Sequence, residues 1–409
     1  MSNSQITSRS MDGRVHDVDA LRGFALLGIF VVNIAFMASA YPAHLVEDPS
    51  FSSSVDDVAR FLVAALFSMK FYLLFSFLFG YSFVLQMEAA ERAGAAFAPR
   101  MLRRVAGLFV LGVGHIVLLY GGDVLTTYAV VCLVLLAMHR VRDKTALVAA
   151  GVIYAVVTAS MTVSAVFLDL SDLLPTHDQA LSSAAMQTRS MLGSPVEIIG
   201  QHLGGLELVV VQAASLQGPT ALAMFLSGMV AARRRLFSHL GARVTLLRRT
   251  QMIGFPVGLL GGAVYAGLGG AGNTWGSTVS VATAPFLTAA FVATVVRLMH
   301  APRTAWVRTA LAPVGRIALT NYLAQSAVGV LLFTGVGLGL AGSVSPPALF
   351  AVACLVFVVQ VAVSALWLRS HRYGPAEDLL RWLTTWQRPG SRAPRPGGRP
   401  AVAEAHGAD

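Results

Sequence analysis

Few side chains in this sequence join a reactive group to an unusual setting, and His115 is the first of them. It closes Gly112-Val113-Gly114-His115 inside a long apolar run, where the glycines thin the helix and let another backbone or a ligand come close. Imidazole titrates near neutral pH, so the chemistry on offer is general-base work on a hydroxyl or amine; the plainer role is a hydrogen-bonded packing residue. Asp123 follows Gly121-Gly122 eight residues later. It suits the cap of the next helix, and the glycine turn can also return its carboxylate to His115. Lys70 lies in the aromatic run Phe67 to Gly80. Its amine either snorkels toward water or faces the interior, where it would meet a carboxylate or steady a developing oxyanion.

Other polar groups stand at the ends of apolar runs. Asp17, Asp19 and Arg22 open the first run, with Asp19 placed to cap a helix and Arg22 either to anchor it at lipid headgroups or to hold phosphates. Arg316, Asn321 and Gln325 fall within Gly315 to Ser326. Asn321 and Gln325 are one turn apart on a common face, and such a stripe either joins helices or lines a cavity. Glu207 is a carboxylate inside a hydrophobic stretch and so a candidate for proton exchange or substrate binding. Cys132 and Cys354 lie in apolar runs, with neither a disulfide framework nor metal-ligand spacing around them. No metal is expected.

The elements that must position these groups follow from composition. The 409 residues are 56% hydrophobic and 12% charged, with mean hydropathy +0.68, against about a quarter charged in soluble domains. A soluble enzyme is excluded. Ten stretches are long enough to cross about 30 Å of hydrocarbon: residues 22–40, 61–86, 105–121, 123–138, 146–168, 206–231, 251–270, 280–298, 309–333 and 346–368. Gln212, Gln217 and Pro219 interrupt the sixth, for which an interfacial piece near 195–215 followed by a shorter span is the alternative.

Charge gives a separate reading of topology. With the N-terminus inside, 26 Lys and Arg fall on inner segments and two, Arg60 and Arg189, on outer loops, while acidic residues divide ten to nine. The net charge of +10 thereby becomes +16 within and −7 without, apart from Lys70, Arg316 and Glu207. The excess reports orientation in a bilayer and gives no reason to invoke nucleic acid. The expected fold is an all-α integral membrane bundle of about ten transmembrane helices with both termini cytoplasmic. Residues 1–16 and 387–409 are expected as disordered arms around one membrane domain, 17–386, divided into halves at about residue 206. The basic arm, apolar run and Ala38-Ser39-Ala40 imitate a signal peptide, but cleavage would discard the Asp17 to Gly23 cluster, so an uncleaved first helix is expected. The loop at 169–205 is long enough to include an amphipathic piece, and no internal repeat is visible.

Five ordered blocks carry a resemblance: Asp17 to Ile29; Lys70-Phe71 to Phe79-Gly80; Gly114-His115 with Gly122-Asp123-Val124-Leu125 and Tyr128-Ala129; Gly315-Arg316 to Gln325-Ser326; and Trp367 with Gly374-Pro375-Ala376-Glu377 and Arg381. Together they resemble the YeiB-like family of bacterial membrane proteins, whose C-terminal half is a domain of unknown function. The resemblance implies a multi-pass protein of the bacterial inner membrane. More distantly, Asp19-Ala20-Leu21-Arg22-Gly23 is similar to the start of the first helix in transmembrane acyltransferases of the heparan-glucosaminide acetyltransferase type. Those enzymes move an acyl group from cytosolic acyl-CoA to a hydroxyl or amine across the membrane. Their catalytic histidine finds only His44 in a comparable region, without a supporting motif.

Two functional readings stand at this point. In an acyltransferase, acyl-CoA would be the co-substrate, with its phosphates on Asp19-flanked Arg22 and on Arg316, His115 would be the base, Asp123 its orienting partner, and Lys70 or Asn321 the oxyanion donor. The acceptor would be a small molecule or glycan. In a transporter or exporter without covalent chemistry, Lys70, Glu207 and Arg316 would line the path, with Glu207 cycling its proton.

Overall fold

The computed structural model describes residues 3–167, 175–237 and 244–386; the expected C-terminal arm lies outside them. The described residues form sixteen α-helices and no β-strand. All ten apolar windows fall on helices. The first is α1 (Asn3–Ala38), whose backbone is helical through most of the residues expected as a disordered arm; extending an existing helix is far easier than nucleating one. The second window divides into α2 (Ser54–Leu66) and α3 (Lys70–Arg92) at a short break where Met69 has φ 68°. Then come α4 (Phe97–Leu118), α5 (Leu125–Ala137) and α6 (Asp143–Phe167).

The long loop contains α7 (His177–Ser190) and α8 (Pro195–Gly204), each opened by a reciprocal serine or threonine capping box. The sixth window becomes α9 (Leu206–Gln212), a five-residue π turn at Ala213–Gln217 and α10 (Gly218–Arg233). Pro219 lacks a backbone N–H at the start of α10, which favours a widened turn before it. The chain continues through α11 (Val244–Gly267) and α12 (Thr274–His300). It then forms α13 (Trp306–Arg316) and α14 (Ala318–Phe333), α15 (Pro346–Ser370) and α16 (Pro375–Thr385). The ninth window is broken: α13 and α14 meet at 79° around Ile317.

Among the described residues, seven helical stretches are long and apolar enough to cross a membrane, and eight if the bent α13–α14 pair is one span. That is fewer than ten for two physical reasons. The 13 residues of α5 extend only about 20 Å at 1.5 Å per residue. In α11, glycines dilute the apolar surface and instead let α12 approach closely, with Gly254, Gly258 and Gly261 against it. Where lipid is as apolar as leucine, such close packing is what holds helices together. Outward surfaces are the reverse of a soluble fold. Only 17% of the apolar window of α6 and 28% of that of α15 is buried by protein, leaving Val148, Val152, Val358 and Val363 exposed.

Around α1 the packing is tight. It runs along α13 and also meets α3, α14 and α15. A Cβ on Gly315 would lie 1.7 Å from the Asp19 carbonyl oxygen, and one on Gly23 would lie 2.4 Å from that of Leu311, so these glycines set the α1–α13 separation. At the same end, Asp17 pairs with Arg308 Nε at 3.1 Å and His300 Nε2 at 3.3 Å, tying α1 to α12 and α13.

Candidate active site

His115 and Asp123 meet. The α4–α5 turn brings Asp123 Oδ1 to 3.0 Å from His115 Nδ1, and both side chains are fully buried. The contact lies off the hydrogen-bond axis, since neither atom has a directed partner. Resting sites often hold such pairs loosely and tighten them when loaded. The second oxygen, Oδ2, accepts the backbone N–H of Thr126 at 2.7 Å, so Asp123 also caps α5 as its position suggested. One carboxylate therefore fixes the helix start and faces the imidazole.

Gly112 makes this approach possible. A Cβ there would stand 2.7 Å from Thr126 Cγ2, 2.8 Å from Thr126 N and 2.9 Å from Asp123 Oδ2. Gly114, by contrast, has nothing within 4 Å of the added atom.

On its other side, His115 Nε2 lies 2.8 Å from the Ser326 hydroxyl of α14. Sequence reasoning did not single out Ser326 as a site residue. The carboxylate facing Nδ1 favours the tautomer with its proton there, which leaves the Nε2 lone pair toward the serine O–H. The Tyr322 ring packs 5.0 Å from the imidazole, and its buried hydroxyl lies beside the Val124 backbone. Tyr322 and Ser326 are one turn apart, so α14 presents both toward α4. In order across the bundle, the site is Asp123, His115, Ser326.

The remaining expected residues sit elsewhere. Asn321 donates to Val314 O at 3.1 Å and to Ser364 Oγ at 3.0 Å; Gln325 donates to Gln360 Oε1 at 2.9 Å, and Gln360 returns a bond to Asn321 O at 2.9 Å. These amides join α14 to α15. Lys70 is 1% exposed, with Nζ 3.4 Å from Ala64 O and 5.7 Å from the centre of the Tyr265 ring. Its polar contacts are therefore with the end of α2 and with α11. Glu207 is exposed on α9, and His44 is half-buried in the 3-10 turn Tyr41–His44.

Basic groups gather about the α13–α14 break. Arg22 donates to Asp19 Oδ1 at 2.6 Å and to Ser82, while Arg316 donates to Arg372 O at 3.0 Å. Arg104 of α4 lies within electrostatic reach of Arg22 and Glu377, and its buried Nε has no hydrogen-bond partner. Glu377 of α16 takes the start of α14: its carboxylate accepts Leu319 N at 2.7 Å, Thr320 N at 3.2 Å and Thr320 Oγ1 at 2.5 Å. The kink exposes those N–H groups, and the negative charge complements them. Burial pushes the Glu377 carboxyl above its ordinary range, and the Thr320 bonds oppose that shift. Neither Arg104 nor Glu377 was singled out from sequence; Glu377 stood only within the Gly374 to Glu377 motif.

The α7–α8 pair covers the Asp123 end. His202 Nδ1 lies 3.3 Å from Val117 O near the end of α4, Thr188 Oγ1 accepts Ala40 N at 3.0 Å, and Gly335 N donates to Met191 O at 2.9 Å. The loops after α1, α4 and α14 thus all meet one cover. Open clefts of about 540 and 400 Å³ in it are lined by residues including Arg189, Ser190, Glu197 and Gln201. Among the described residues, no cluster of His, Cys, Asp and Glu has the makings of a metal site.

An all-helical chain with seven or eight apolar helices, lipid-like exposed faces and a buried Asp-His-Ser alignment is a multi-pass membrane protein with a polar site inside its bundle. Comparison with known proteins specifies it further. Residues 231–387 match the family described as "Protein of unknown function (DUF418)". The chain is 33% identical over 400 residues to "Uncharacterized protein YxaH" of Bacillus subtilis (strain 168), covering 91% of this chain and 95% of the relative. It is 27% identical over 375 residues to an "Uncharacterized 39.9 kDa protein in amylase 3'region" of Bacillus acidopullulyticus, covering 92% and 95%. With "Uncharacterized protein YeiB" of Escherichia coli (strain K12) it shares 25% identity over 390 residues, covering 90% and 95%. The chain belongs to the YeiB-like family.

Proposed function

We propose that the protein is a membrane acyltransferase that moves an acyl group from a cytosolic thioester such as acyl-CoA to a hydroxyl or amine of a small-molecule or glycan acceptor. The observation that carries this reading is the buried His115, backed by Asp123 at 3.0 Å and facing a hydroxyl at 2.8 Å. That is the setting a general base needs: one nitrogen facing a carboxylate, the other facing a hydroxyl. Asp123 would stabilise the imidazolium formed in the step, and the Tyr322 hydroxyl, which lies beside the Val124 backbone, would turn to the developing oxyanion.

The arginines about the α13–α14 break suit the donor's phosphates, since a guanidinium presents a rigid fork of N–H groups. Arg22, Arg316 and Arg104 are the residues that would hold them, Arg104 with an unused Nε. Arg104 and His115 are eleven positions apart on α4, about 16 Å along its axis, a span suited to an extended thioester arm. The polar clefts at the opposite end suit a hydroxylated acceptor. In this reading the protein lies in the inner membrane with ten helices and both termini cytoplasmic, α5 and α11 completing the bundle. Lysine and arginine bias supports that orientation.

Membranes from cells producing the protein are supplied with labelled acetyl-CoA, and label is followed into extracytoplasmic lipid, glycan and small-molecule fractions. His115→Ala should cut transfer by about 10²–10⁴-fold, the range for loss of a general base. Undiminished transfer by folded His115→Ala would remove this residue from the chemistry. A transport reading rests on Lys70, whose buried amine meets the Ala64 carbonyl and the Tyr265 ring. It predicts substrate flux in vesicles without any acyl donor and dependent on Lys70.

A further inference from the structure

Ser326 departs from the way many hydroxyls are used in this bundle. Thr220, Ser227, Thr278, Thr283, Thr294 and Thr334 each donate to the carbonyl one turn back in their own helix, at 2.7–2.8 Å. That bond satisfies a polar group in hydrocarbon without calling on another helix. Ser326 is 1% exposed and could do the same, yet its one hydrogen bond goes 211 residues away to His115 Nε2. Its hydroxyl meets an imidazole whose far nitrogen faces a carboxylate, and the Tyr322 ring, one turn earlier on the same helix, packs 5.0 Å from that imidazole.

We propose that Ser326 is a nucleophile that carries the acyl group covalently, so that transfer proceeds in two half-reactions. The proposal rests on the acyltransferase reading and specifies its mechanism. In the first half, Ser326 Oγ attacks the thioester carbonyl carbon while His115 Nε2 takes the hydroxyl proton. The carbon–sulfur bond then breaks, the departing thiolate receives that proton, and an ester on Ser326 remains. In the second half, the acceptor oxygen or nitrogen attacks the ester carbonyl and gives its proton to His115. The bond to Ser326 Oγ breaks, and Oγ recovers the proton. No oxidant or reductant is needed, and His115 ends each half as it began.

This arrangement reconciles a donor and an acceptor that approach from opposite faces. The two need not occupy the bundle together, because the serine ester stores the acyl group between visits. It also gives the break before α14 a chemical purpose, since the kink sets the direction of the half-helix that presents Ser326.

The full chain in detergent is treated with diisopropyl fluorophosphate and, separately, with labelled acetyl-CoA without acceptor, and modified peptides are located by mass spectrometry. Both reagents should mark Ser326, Ser326→Ala should lose both marks, and His115→Ala should label at least 100-fold more slowly. Ser326→Cys should retain the acetyl group as a thioester released by hydroxylamine. Size-exclusion profiles matching the parent show that each variant is folded. Failure of both reagents to mark Ser326 overturns the proposal, as does acetyl transfer by folded Ser326→Ala at the parental rate. In that second outcome the acyltransferase reading survives with direct transfer. Marking of Ser326 that depends on His115, without transfer to any acceptor fraction, supports the nucleophile and instead defeats the transferase reading.

Discussion

Glu377 gives the most direct test of how the α13–α14 break is held. Replacement by alanine removes the acceptor for Leu319 N, Thr320 N and Thr320 Oγ1 together. Loss of a helix cap costs about 0.5–2 kcal/mol, and a buried donor left without a partner about 1–3 kcal/mol. Partial compensation by water brings the expected loss for Glu377→Ala to about 2–4 kcal/mol. Glu377→Gln keeps one acceptor oxygen and abolishes the buried charge, so its loss should be smaller. The two also differ in pH dependence. Burial raises the folded-state carboxyl above the ordinary carboxylate range, so the folded state holds the proton more tightly than the unfolded state. That contribution to stability is complete below the unfolded pKa and fades as pH rises through the folded pKa. Thermal unfolding in detergent from pH 4 upward should therefore show this contribution declining in the parent and absent from Glu377→Gln. Equal melting temperatures for parent and Glu377→Ala would refute the capping argument. A parent-minus-Gln difference growing more favourable to the parent with rising pH would refute the sign.

Two glycine contrasts test other parts of the structure. Gly112→Ala should lower acyl transfer at least 10-fold while helix content by circular dichroism stays at the parental level, because the new carbon crowds Thr126 and Asp123 and a small misplacement of catalytic groups is costly. Gly315→Ala, with its Cβ 1.7 Å from Asp19 O, should cost at least about 1–3 kcal/mol by overpacking, whereas Gly114→Ala, in open space, should melt at or slightly above the parental temperature.

Helices were legible because hydropathy over 20 residues is a strong signal, and every apolar window lies on one. Their interruptions were harder to read. The turn at Ile317 contains neither proline nor glycine at its centre, and the cap of the helix after it comes from Glu377, 57–58 positions beyond the N–H groups it accepts. Within the site, His115 and Asp123 were visible as a nearby pair joined by Gly121-Gly122, and the turn alone brings them together. Ser326 was not, because its relation to His115 depends on α14 packing against α4 across 211 residues. The signal that could have found it was present: a serine in the same polar block as Arg316, Asn321 and Gln325, on the Tyr322 face. Asn321 and Gln325 drew more notice by their i, i+4 spacing, yet that face meets α15. Spacing along a helix identifies a shared face without saying which neighbour it meets.

The distance in sequence between His115 and Ser326 also bears on biogenesis. The imidazole and carboxylate leave the ribosome with the fourth and fifth helices, while the serine follows some two hundred residues later and the cap of its half-helix later still. Until α14 is inserted, the nascent protein has the His115 imidazole without the Ser326 hydroxyl. Under the proposed mechanism the reactive centre would come into being only once α14 is in the membrane, and a product cut short before Glu377 would lack the cap of that half-helix.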